Sequence, residues 1–584
     1  LTDSPTAEGL PKWSPDDKSI AFQSDRYGAP QIFVVSSSGS GTGVVIDDQG
    51  HVIVGYRSVK GNSRATVWLP DGTSKEGLVT GFDELRDVAV IKISLYDLQK
   101  SILEKSDVDI GDEVIAVWRD QEWSGPPNGI TGNVIAKMQR HDPKNPNRMK
   151  GDRVIEGDNL FVMPGMLNLH LHLRNESLPL DYIFYLQLAT GVTSIGPAEE
   201  GRVQDILQAE RNNEVISPRL FPLYGWGSKT DFDEDFIMNP INADKVAKKM
   251  IRNGVRQVYI NNLCWNPTIF GAAAKAIEKA GGLTAVHIQP SSTSQVNALD
   301  AARLGVSMIV HHYGYAESAL NRGVMNYPVD YSYMDENIRF REAAQVWIEA
   351  GENPETKHRL LNDIADSLVH YGVTMQPNRA TYEANRDIVR AHGLPWHEKY
   401  THQALWEMHL PSPHMHASFQ YNWTSLDEYR WHYMYDLWGD LIFEFNKRGG
   451  RVAYGTDDNY QWSTGGFGNI RELQLVLESG MHPLEVLQSA THNSAQTILE
   501  PKLGMIQKGY IADILVVDGS PAENFRYLYP FGAINMEPET EKMYRTQGII
   551  HTIKDGVVYE NKNLMREVER IVKESKKNAG SDIV

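Results

Sequence analysis

The stretch "VMPGMLNLHLHL" at residues 162–173 decides the fold, because it joins an apolar run to two histidines placed one residue apart. In a β-strand, residues i and i+2 point to the same face of the sheet. His170 and His172 therefore project together, and both could bind one metal ion. Two histidines in a buried strand can also be hydrogen-bonded core residues, so the histidines and carboxylates further along the chain decide between these interpretations.

The composition limits the classes of protein to which the chain can belong. The chain has 584 residues, enough for two or more domains, and 41% of them are hydrophobic. Its formal net charge of −18 argues against nucleic acid as a partner, since no basic excess is present to neutralise phosphates. The single cysteine, Cys264, excludes an intrachain disulfide framework and a cysteine-rich zinc site. No apolar stretch is long enough to predict a membrane span. The chain opens on Leu1, which fits either a processed chain or part of a longer one.

Residues 1–40 consist of short predicted strands separated by turns. The segment "WSPDDKSIAFQSDRYGAPQIFVV", which starts at Trp13, resembles one repeat of the β-propeller of TolB proteins. One blade cannot close a propeller or cover its edge strands. We therefore expect a single repeat fragment here rather than a complete propeller.

Residues 41–140 alternate predicted strands with Gly and Asp turns, which is typical of a small β-barrel. The segment resembles the barrel of HtrA-type serine proteases, and Asp87 matches the aspartate of their catalytic triad. The chain reads "YRSV" after Gly55, where the resemblance would place the histidine base, and no Gly-Asn-Ser-Gly-Gly nucleophile segment follows. Because a triad protease needs both groups, we predict a non-catalytic barrel fragment with a structural or docking role.

From Val154 the pattern changes to short apolar strands that alternate with amphipathic helices. Many predicted helices end at a glycine just before the next strand, as at Gly254, Gly305 and Gly372. About eight such units predict an α/β fold, a parallel (β/α)8 TIM-like barrel over residues 151–500. A linker at residues 142–150 would separate this barrel from the all-β N-terminal region. A doubly wound open sheet is the rival architecture.

Candidate metal ligands follow the predicted strands at their carboxyl ends. They are His170, His172, His287, His311 and Asp457, the last in "AYGTDD". In (β/α)8 barrels the functional groups gather at the carboxyl ends of the strands, so these five side chains should converge. Imidazole nitrogens and a carboxylate suit Zn²⁺ or another divalent transition metal.

With these features, residues 151–560 resemble the amidohydrolase superfamily of metal-dependent hydrolases. The resemblance rests on "VMPGMLNLHLHL", "TAVHIQP", "MIVHH" and "VAYGTDD", with "GMHPLEVLQSATHNSAQTI" and "KLGMIQKGYIADILVVDGSP" further on. It implies that residues 501–562 join a segment before the barrel in a small β-sandwich. Residues 563–584 are expected to form a C-terminal helix and tail.

The resemblance also assigns roles to the candidate residues. The four histidines would hold the metal, and Asp457 would both meet the metal and transfer the proton of the attacking water to the leaving amine. Asp458 is the alternative for this aspartate. His312 is expected to point away from the metal, because adjacent strand residues face opposite sides.

Two positions depart from the family pattern. Asn168 stands where an aspartate usually precedes the histidine pair. Tyr259 stands where many members with two metals have a lysine that is carbamylated and bridges the ions. Tyrosine cannot form a carbamate, so we expect the site to bind one ion. A site with two ions is the alternative if Cys264 or Asn261 takes the place of the bridging lysine.

Two long insertions, residues 313–358 and 379–434, follow the sixth and seventh predicted strands. The second is rich in aromatic residues and histidines, which favours a helical subdomain at the barrel mouth over disorder. Its aromatic side chains would fill its own core or line a pocket for an apolar substrate, and "HLPSPHMHAS" could bind a second metal. Arg379 could bind a substrate carboxylate, and His312 is the second candidate for contacting substrate.

The predicted function is metal-dependent hydrolysis of a C–N bond in a small-molecule substrate: an amide, a cyclic amide, or an N-acyl amino acid or dipeptide. Deamination is a weaker alternative, because the segment after His287 lacks the acidic residue that deaminases of the family place there. A non-catalytic scaffold with a degenerate metal site is the alternative from a different class. The two N-terminal resemblances imply an extracytoplasmic location, periplasmic or secreted, and a homo-oligomer is left open.

Overall fold

The computed structural model describes residues 12–13, 20–21, 32–36, 39–45, 51–60, 62–68, 74–83, 88–93, 113–118, 128–133, 160–173, 177–198, 206–222, 224–226, 241–261, 266–290, 293, 295–320, 327–332, 335–412, 422–537 and 540–579. The chain divides into two compact units, residues 1–137 and residues 138–584.

The first unit is built from β-strands. They are β1 (Lys12–Trp13), β2 (Ile20–Ala21), β3 (Ile32–Ser36), β4 (Gly39–Val45), β5 (His51–Val54), β6 (Arg64–Trp68), β7 (Ser74–Asp83), β8 (Val88–Ile93), β9 (Glu113–Trp118) and β10 (Asn128–Asn133). Strands β3 to β8 close into an antiparallel barrel in the order β3-β4-β5-β8-β7-β6, and the remaining strands form two separate pairs. The small barrel predicted from the Gly and Asp turns is therefore present.

Strand β3 lies in this barrel, where it pairs with β4 and β6. The sequence resemblance places this strand in the TolB-like repeat, whereas in the structure it pairs with strands of the barrel. The turns that define the repeat lie outside the described residues. The resemblance to a propeller is not confirmed.

Alternate residues of the barrel strands fill its interior, as the two-residue period of a strand requires. The buried set is Val52, Val54, Ala65, Val67, Ala89, Ile91 and Ile93. A 3₁₀ turn at Tyr56–Ser58 occupies the place where a protease would need its histidine base. Asp87, the predicted match to the triad aspartate, lies outside the described residues.

The second unit contains a run of parallel strands, with one antiparallel strand before it and further antiparallel strands after it. They are β11 (Phe161–Pro164), β12 (Met166–Asn168), β13 (Val192–Ala198), β14 (Arg219–Pro222), β15 (Tyr224–Trp226), β16 (Gln257–Asn261), β17 (Leu283–His287), β18 (Met308–Val310), β19 (Thr374–Gln376), β20 (Arg451–Val452), β21 (Ile514–Asp518), β22 (Ile534–Glu537), β23 (Lys542–Arg545), β24 (Gly548–Lys554) and β25 (Val557–Glu560). Strands β12 to β20 run in sequence order, and each pairs in parallel with its neighbour within its sheet.

Backbone hydrogen bonds close these strands into a barrel. The amide of Leu169 donates to the carbonyl of Tyr454 over 3.0 Å, and the amide of Asp457 donates to the carbonyl of His170 over 2.8 Å. These bonds join the first strand to the segment that follows the last one. One residue separates β14 from β15, which together form the third strand. The predicted (β/α)8 barrel is confirmed, and the open doubly wound sheet is not what forms.

Helices cover the barrel. They are α1 (Leu180–Ala189), α2 (Leu207–Arg211), α3 (Ala243–Arg252), α4 (Pro267–Lys279), α5 (Ala298–Arg303), α6 (Tyr315–Leu320), α7 (Glu336–Glu352), α8 (Pro354–His358), α9 (Ala365–His370), α10 (Glu383–Arg386), α11 (Ile388–His392), α12 (His397–Tyr400), α13 (Gln403–His409), α14 (Ser425–Lys447), α15 (Phe467–Glu478), α16 (Pro483–Gln488), α17 (Ser494–Thr497) and α18 (Asn561–Asn578). Apolar residues at helical spacing predict helices over residues 242–253, 268–279, 295–304, 360–370, 435–446 and 469–477, and these ranges overlap α3, α4, α5, α9, α14 and α15, although α14 begins ten residues earlier than predicted. Among the described helices, none is long and apolar enough to cross a bilayer.

The opening stretch divides between two sheets at Pro164-Gly165. Strand β11 pairs antiparallel with β21, in a four-stranded sheet of order β11-β21-β24-β25. Strand β12 instead pairs in parallel with β13, in the barrel. A Cβ at Gly165 would lie 2.3 Å from the Thr193 hydroxyl oxygen, so only glycine allows the chain to pass between the sheets here. The closing strands thus join a segment before the barrel, as the resemblance implied.

The insertion after the seventh strand folds back on the barrel. Trp396 stacks on Phe467 of α15, with ring centroids 5.0 Å apart, and Trp431 of α14 is fully buried. Such packing supports the expected helical subdomain. The histidines of "HLPSPHMHAS" at 414 and 416 lie outside the described residues, so the second metal site suggested for that segment stays a prediction.

Candidate metal centre

His170, His172 and Asp457 meet at the carboxyl end of the barrel. The Nε2 atom of His172 lies 2.9 Å from Oδ1 of Asp457, and the Nε2 atom of His170 lies 3.5 Å from the same oxygen. One ligand atom from each of the three residues lies within 4.8 Å of the others, close enough for all three to bind one ion. The histidine pair predicted from "HLH" therefore has a carboxylate partner nearly three hundred residues away in the chain.

His287 and His311 extend this cluster across the barrel. The Nε2 atom of His311 lies 3.8 Å from Oδ2 of Asp457. The ring centroids of His287 and His311 are 4.6 Å apart, and those of His170 and His311 are 5.0 Å apart. All five predicted ligands thus lie side by side.

The donor atoms of the cluster fit a divalent metal ion. Within the described part of the chain, Nε2 of His287 and Nδ1 of His311 are buried and have no hydrogen-bond partner. Buried polar atoms without a partner are rare, because each costs free energy on folding. Imidazole nitrogens beside a carboxylate are the donors that Zn²⁺ and similar ions prefer. A bound ion would explain why these nitrogens are left without protein partners.

Two of the five residues adopt backbone conformations that side chains usually avoid. The φ angles of His311 and Asp457 are +64° and +53°. Non-glycine residues with positive φ cost free energy and cluster at functional sites. His311 directly follows strand β18, and its Nε2 atom and Oδ2 of Asp457 face each other over 3.8 Å.

Burial and neighbouring charges set the protonation states of the cluster. Burial, and then the positive charge of Arg339, lowers the pKa of His287 to about 3. Burial alone would raise the pKa of Asp457, but the facing His170 and His172 outweigh it and hold that pKa well below its ordinary value. Near neutral pH the site therefore offers a neutral imidazole at His287 and an ionised carboxylate at Asp457, the forms in which these groups bind metals.

Asn168 organises the backbone around the first ligand. Its Oδ1 accepts from the amides of His170 over 3.1 Å and Thr456 over 3.2 Å. Its Nδ2 donates to Oγ1 of Thr456 over 2.8 Å and to Oδ1 of Asn469 over 3.1 Å. Because the Asn469 contact requires a donor, an amide suits this position, and the replacement of the family's aspartate has a structural reason.

Gln376 is a site residue that the sequence analysis missed. Its Oε1 lies 3.3 Å from Nδ1 of His170, and its Nε2 donates to the carbonyl of Tyr454 over 3.2 Å. A hydrogen bond to the second ring nitrogen fixes the orientation of a metal-binding histidine. The sequence feature that could have identified Gln376 is a polar residue at the end of the apolar strand "VTMQ", residues 373–376.

The two neighbouring aspartates have different environments. Asp458 accepts from Oγ of Ser463 over 2.9 Å and from the amide of Gly466 over 3.1 Å. These bonds hold its carboxylate within its own loop. Asp457 faces the histidines instead, which favours it over Asp458 for the metal and proton-transfer roles.

Tyr259 faces the barrel interior where the bridging lysine was expected. Its side chain packs against Ala285, Met308 and Val310, and its ring centroid lies 6.2 Å from that of His170. An aromatic ring therefore fills the position from which a carbamylated lysine would reach the ions. The alternative bridges cannot be placed, because Cys264 and the side chain of Asn261 lie outside the described residues.

The structure does not bring Arg379 to the cluster. Its guanidinium donates to the hydroxyl of Ser479 and to the carbonyl of Tyr435, and its Cζ lies 4.0 Å from the ring centroid of Tyr435. The side chain is buried and packs behind the site, against α14 and the end of α15. These contacts give no support to the predicted role in binding a substrate carboxylate.

His312 points away from the ligands, into a shell of aromatic rings. Its ring centroid lies 4.0 Å from that of Tyr313 and 4.8 Å from that of Tyr382, and Trp431 and Trp438 are 5.5 Å away. Strand alternation had predicted this orientation, but strand β18 ends at Val310. The positive φ of His311, rather than a continued pleat, separates the two rings. The predicted substrate contact of His312 stays a prediction.

Glu317 supports the loop that carries His311, and its protonation should make stability depend on pH. Its Oε2 accepts from the amide of Gly314 over 2.8 Å, and burial raises its pKa from 4.5 to about 7. The folded protein thus holds a proton that the unfolded chain releases, and this contribution to the free energy of unfolding is lost as the pH rises from about 4.5 to about 7. The loss should total about 3 kcal/mol.

The variant Glu317→Gln removes this titration. Its free energy of unfolding, relative to the unmodified protein, should rise by up to about 3 kcal/mol between about pH 5 and about pH 8. Denaturant titrations at the two pH values measure the difference. The exposed Glu278→Gln is the matched control and should show no such change. Parallel pH profiles for Glu317→Gln and the unmodified protein would contradict the prediction.

A protein-family model matches part of the second unit. Residues 444–559, which include Asp457 and the closing strands β21 to β25, match the model of the amidohydrolase family. The amidohydrolase resemblance seen in the sequence is thus confirmed over these residues.

Solved structures with a similar chain trace include proteins described as amidohydrolases. Bottromycin amidohydrolase is similar with a TM-score of 0.48 and 16% identity, over 71% of this chain and 81% of that chain. A Xaa-Pro dipeptidase with bound methionine in the active site has a TM-score of 0.42 and 16% identity, over 69% and 87% of the chains. The A. niger ochratoxinase has a TM-score of 0.41 and 14% identity, over 68% and 83%.

The N-terminal resemblance has curated relatives as well. The chloroplastic Protease Do-like 1 of Arabidopsis thaliana is 33% identical over 126 residues, which are 20% of this chain and 26% of that protein. The serine protease Do-like HtrA of Lactococcus lactis is 34% identical over 85 residues, which are 14% of this chain and 21% of that protein. The chain spans about a quarter of the length of the first curated relatives it matches.

Proposed function

We propose that the amidohydrolase barrel is a metal-dependent hydrolase of C–N bonds in small molecules: amides, cyclic amides, or N-acyl amino acids and dipeptides. The observation that carries the proposal is the convergence of His170, His172, His287, His311 and Asp457 on one point. These residues come from strands one, five, six and eight. A structural role would not require four imidazoles and a carboxylate in one place, with buried ring nitrogens of His287 and His311 unpartnered among the described residues.

In the proposed site, His170, His172 and Asp457 hold one divalent ion, which we infer to be zinc, with His287 and His311 completing the donor set. Such an ion, when bound, lowers the pKa of water toward neutrality and polarises a carbonyl group. Tyr259 supports the expectation of a single ion, since its ring stands where a bridging lysine would be. Gln376 and Asn168 keep His170 and its backbone in place.

Asp457 is the proposed proton carrier. Its pKa lies well below the ordinary value, so its carboxylate is ionised at neutral pH and can accept the proton of the attacking water. It then returns that proton to the leaving amine, the general acid–base role that breaks the C–N bond. The side chain of His172 is 38% exposed while those of His170 and His311 are buried, so substrate would approach from the side of His172.

Activity on a defined panel tests the proposal. Zinc-loaded protein is assayed for release of amines from N-acyl amino acids, dipeptides and cyclic amides, with ammonia measured separately to detect deamination. We expect amine release from at least one class, its loss in His170→Ala, and its retention in the control His358→Ala, whose side chain is exposed on α8. If no member is hydrolysed, or if His170→Ala is as active as the unmodified protein, the proposal fails.

A further inference from the structure

Three buried amide side chains connect the first barrel strand to the loop that follows the last one. Nδ2 of Asn168 donates to Oδ1 of Asn469 over 3.1 Å, and Nδ2 of Asn469 donates to Oε1 of Gln187 over 2.9 Å. Nε2 of Gln187 in turn donates to Oδ2 of Asp458 over 3.5 Å. All four residues are at most 1% exposed. These bonds form an amide relay that runs from β12 through α15 and α1 to the Asp458 loop.

Backbone groups fix the direction of the amide relay at its two ends. At one end, Oδ1 of Asn168 accepts from two backbone amides, so the other atom of its side-chain amide is the nitrogen and must donate. At the other end, Oδ2 of Asp458 also accepts from the amide of Gly466 over 3.1 Å. Because a backbone amide can only donate, this oxygen is an acceptor, and Gln187 must turn its nitrogen toward it.

The middle of the amide relay is fixed in the same way. Nδ2 of Asn469 also donates to Oγ1 of Thr190 over 2.8 Å, and that hydroxyl donates to the carbonyl of Leu186 over 2.8 Å. Oδ1 of Asn469 also accepts from the hydroxyl of Tyr454 over 3.1 Å. The Asn469 amide therefore cannot turn over without losing partners on both sides. The relay has one direction, in which each amide donates toward Asp458.

The amide relay begins at the atom that holds the ligand-bearing backbone. Oδ1 of Asn168 accepts from the amide of His170 over 3.1 Å and from the amide of Thr456 over 3.2 Å. The carbonyl of His170 in turn accepts from the amide of Asp457 over 2.8 Å. Rotation of the Asn168 side chain would break both of its bonds to the backbone. By fixing that side chain, the relay fixes the backbone from which His170 and Asp457 project.

We propose that Asn469 and Gln187 are positioning residues of the metal centre and act through Asn168. Their bonds hold its amide in the one orientation in which it binds the two backbone amides. The direction of the relay also makes aspartate unsuitable at position 168, where the resemblance would place one. Both oxygens of a carboxylate accept, so one of them would face Oδ1 of Asn469. The inference rests on the proposed function in taking the histidine cluster to be a metal centre.

Zinc affinity and hydrogen exchange of the full chain test this inference. Asn469→Leu removes the partner of Asn168, and Asn168→Asp sets two acceptors against each other. Each should weaken zinc binding, measured by competition with a chelator, by about ten-fold or more, as when a group that orients a metal ligand is lost. The backbone amides of residues 167–172 and 453–458 should also exchange faster in Asn469→Leu, with or without zinc. Asn563→Asp, at an exposed position on α18, is the matched control and should change neither quantity.

A double variant separates positioning from a general loss of packing. Gln187→Met removes the acceptor that holds the Asn469 nitrogen, so the Asn469 amide can turn over and donate to the carboxylate of Asn168→Asp. We expect Gln187→Met combined with Asn168→Asp to bind zinc about three-fold or more tightly than Asn168→Asp alone, the scale of coupling within one hydrogen-bond network. Two independent packing defects would add instead, and the double variant would bind zinc more weakly.

Three results would overturn the inference. They are normal zinc affinity in Asn469→Leu, unchanged exchange of residues 167–172 and 453–458 in that variant, and a double variant that binds zinc no better than Asn168→Asp. If Asn469→Leu does not fold, the double variant decides. If the unmodified protein binds no zinc, the proposed function fails, and hydrogen exchange alone decides whether the relay positions this backbone.

Discussion

Replacing Asp457 by Asn is expected to lower the turnover number by about a thousand-fold or more, within the range that general acid–base groups contribute. The side chain keeps its size, but it can no longer accept a proton from water or deliver one to the leaving amine. It also loses the negative charge that faces His170 and His172, with Nε2 of His172 only 2.9 Å from the carboxylate. Turnover is measured at saturating substrate, with the metal content of each preparation determined in parallel.

The control for Asp457→Asn is Asp363→Asn, a substitution at an exposed position outside the barrel. It should leave turnover unchanged. Metal content separates the two roles of Asp457. A variant that keeps its metal but loses turnover has lost proton transfer, and one that loses both has lost a ligand as well. Retention of more than about a tenth of the normal turnover would contradict the proton-transfer role.

Removing the metal is expected to lower the stability of the barrel by about 4 kcal/mol when the ion is otherwise present at about a thousand times its dissociation constant. The reason is linkage: an ion that binds the folded state and not the unfolded one adds its binding free energy to the free energy of unfolding. Without it, the buried nitrogens of His287 and His311 are left without partners, and the histidines face each other with ring centroids 4.6 Å apart.

Thermal unfolding with and without a chelator measures this contribution. The unmodified protein should unfold several degrees lower after chelation and recover on addition of zinc. In His170→Ala the midpoint should depend little on either treatment, whatever its absolute value. A midpoint that is the same with and without chelator in the unmodified protein would contradict a metal bound by the folded state.

The positions of the candidate metal ligands could be predicted because they depend on local rules. A strand places residues i and i+2 on one face, which paired His170 with His172. The carboxyl ends of parallel barrel strands meet at one end, which brought His287, His311 and Asp457 to the same place. Neither rule needs knowledge of side-chain packing.

The surroundings of the ligands could not be predicted, because they depend on contacts between distant segments. Arg379 looked available from the sequence, yet Tyr435 and Ser479 engage its guanidinium, and these residues lie 56 and 100 positions away. Likewise, the division of the opening stretch at Gly165 depends on how closely Thr193 approaches it.

The metal content of the purified protein tests the central claim most directly. After dialysis against zinc and then against metal-free buffer, elemental analysis should find about one divalent ion per chain in the unmodified protein and in the control His358→Ala. It should find little or none in His170→Ala. A metal-free unmodified protein, or a variant His170→Ala that keeps its full metal content, would contradict a metal centre formed by His170, His172 and Asp457.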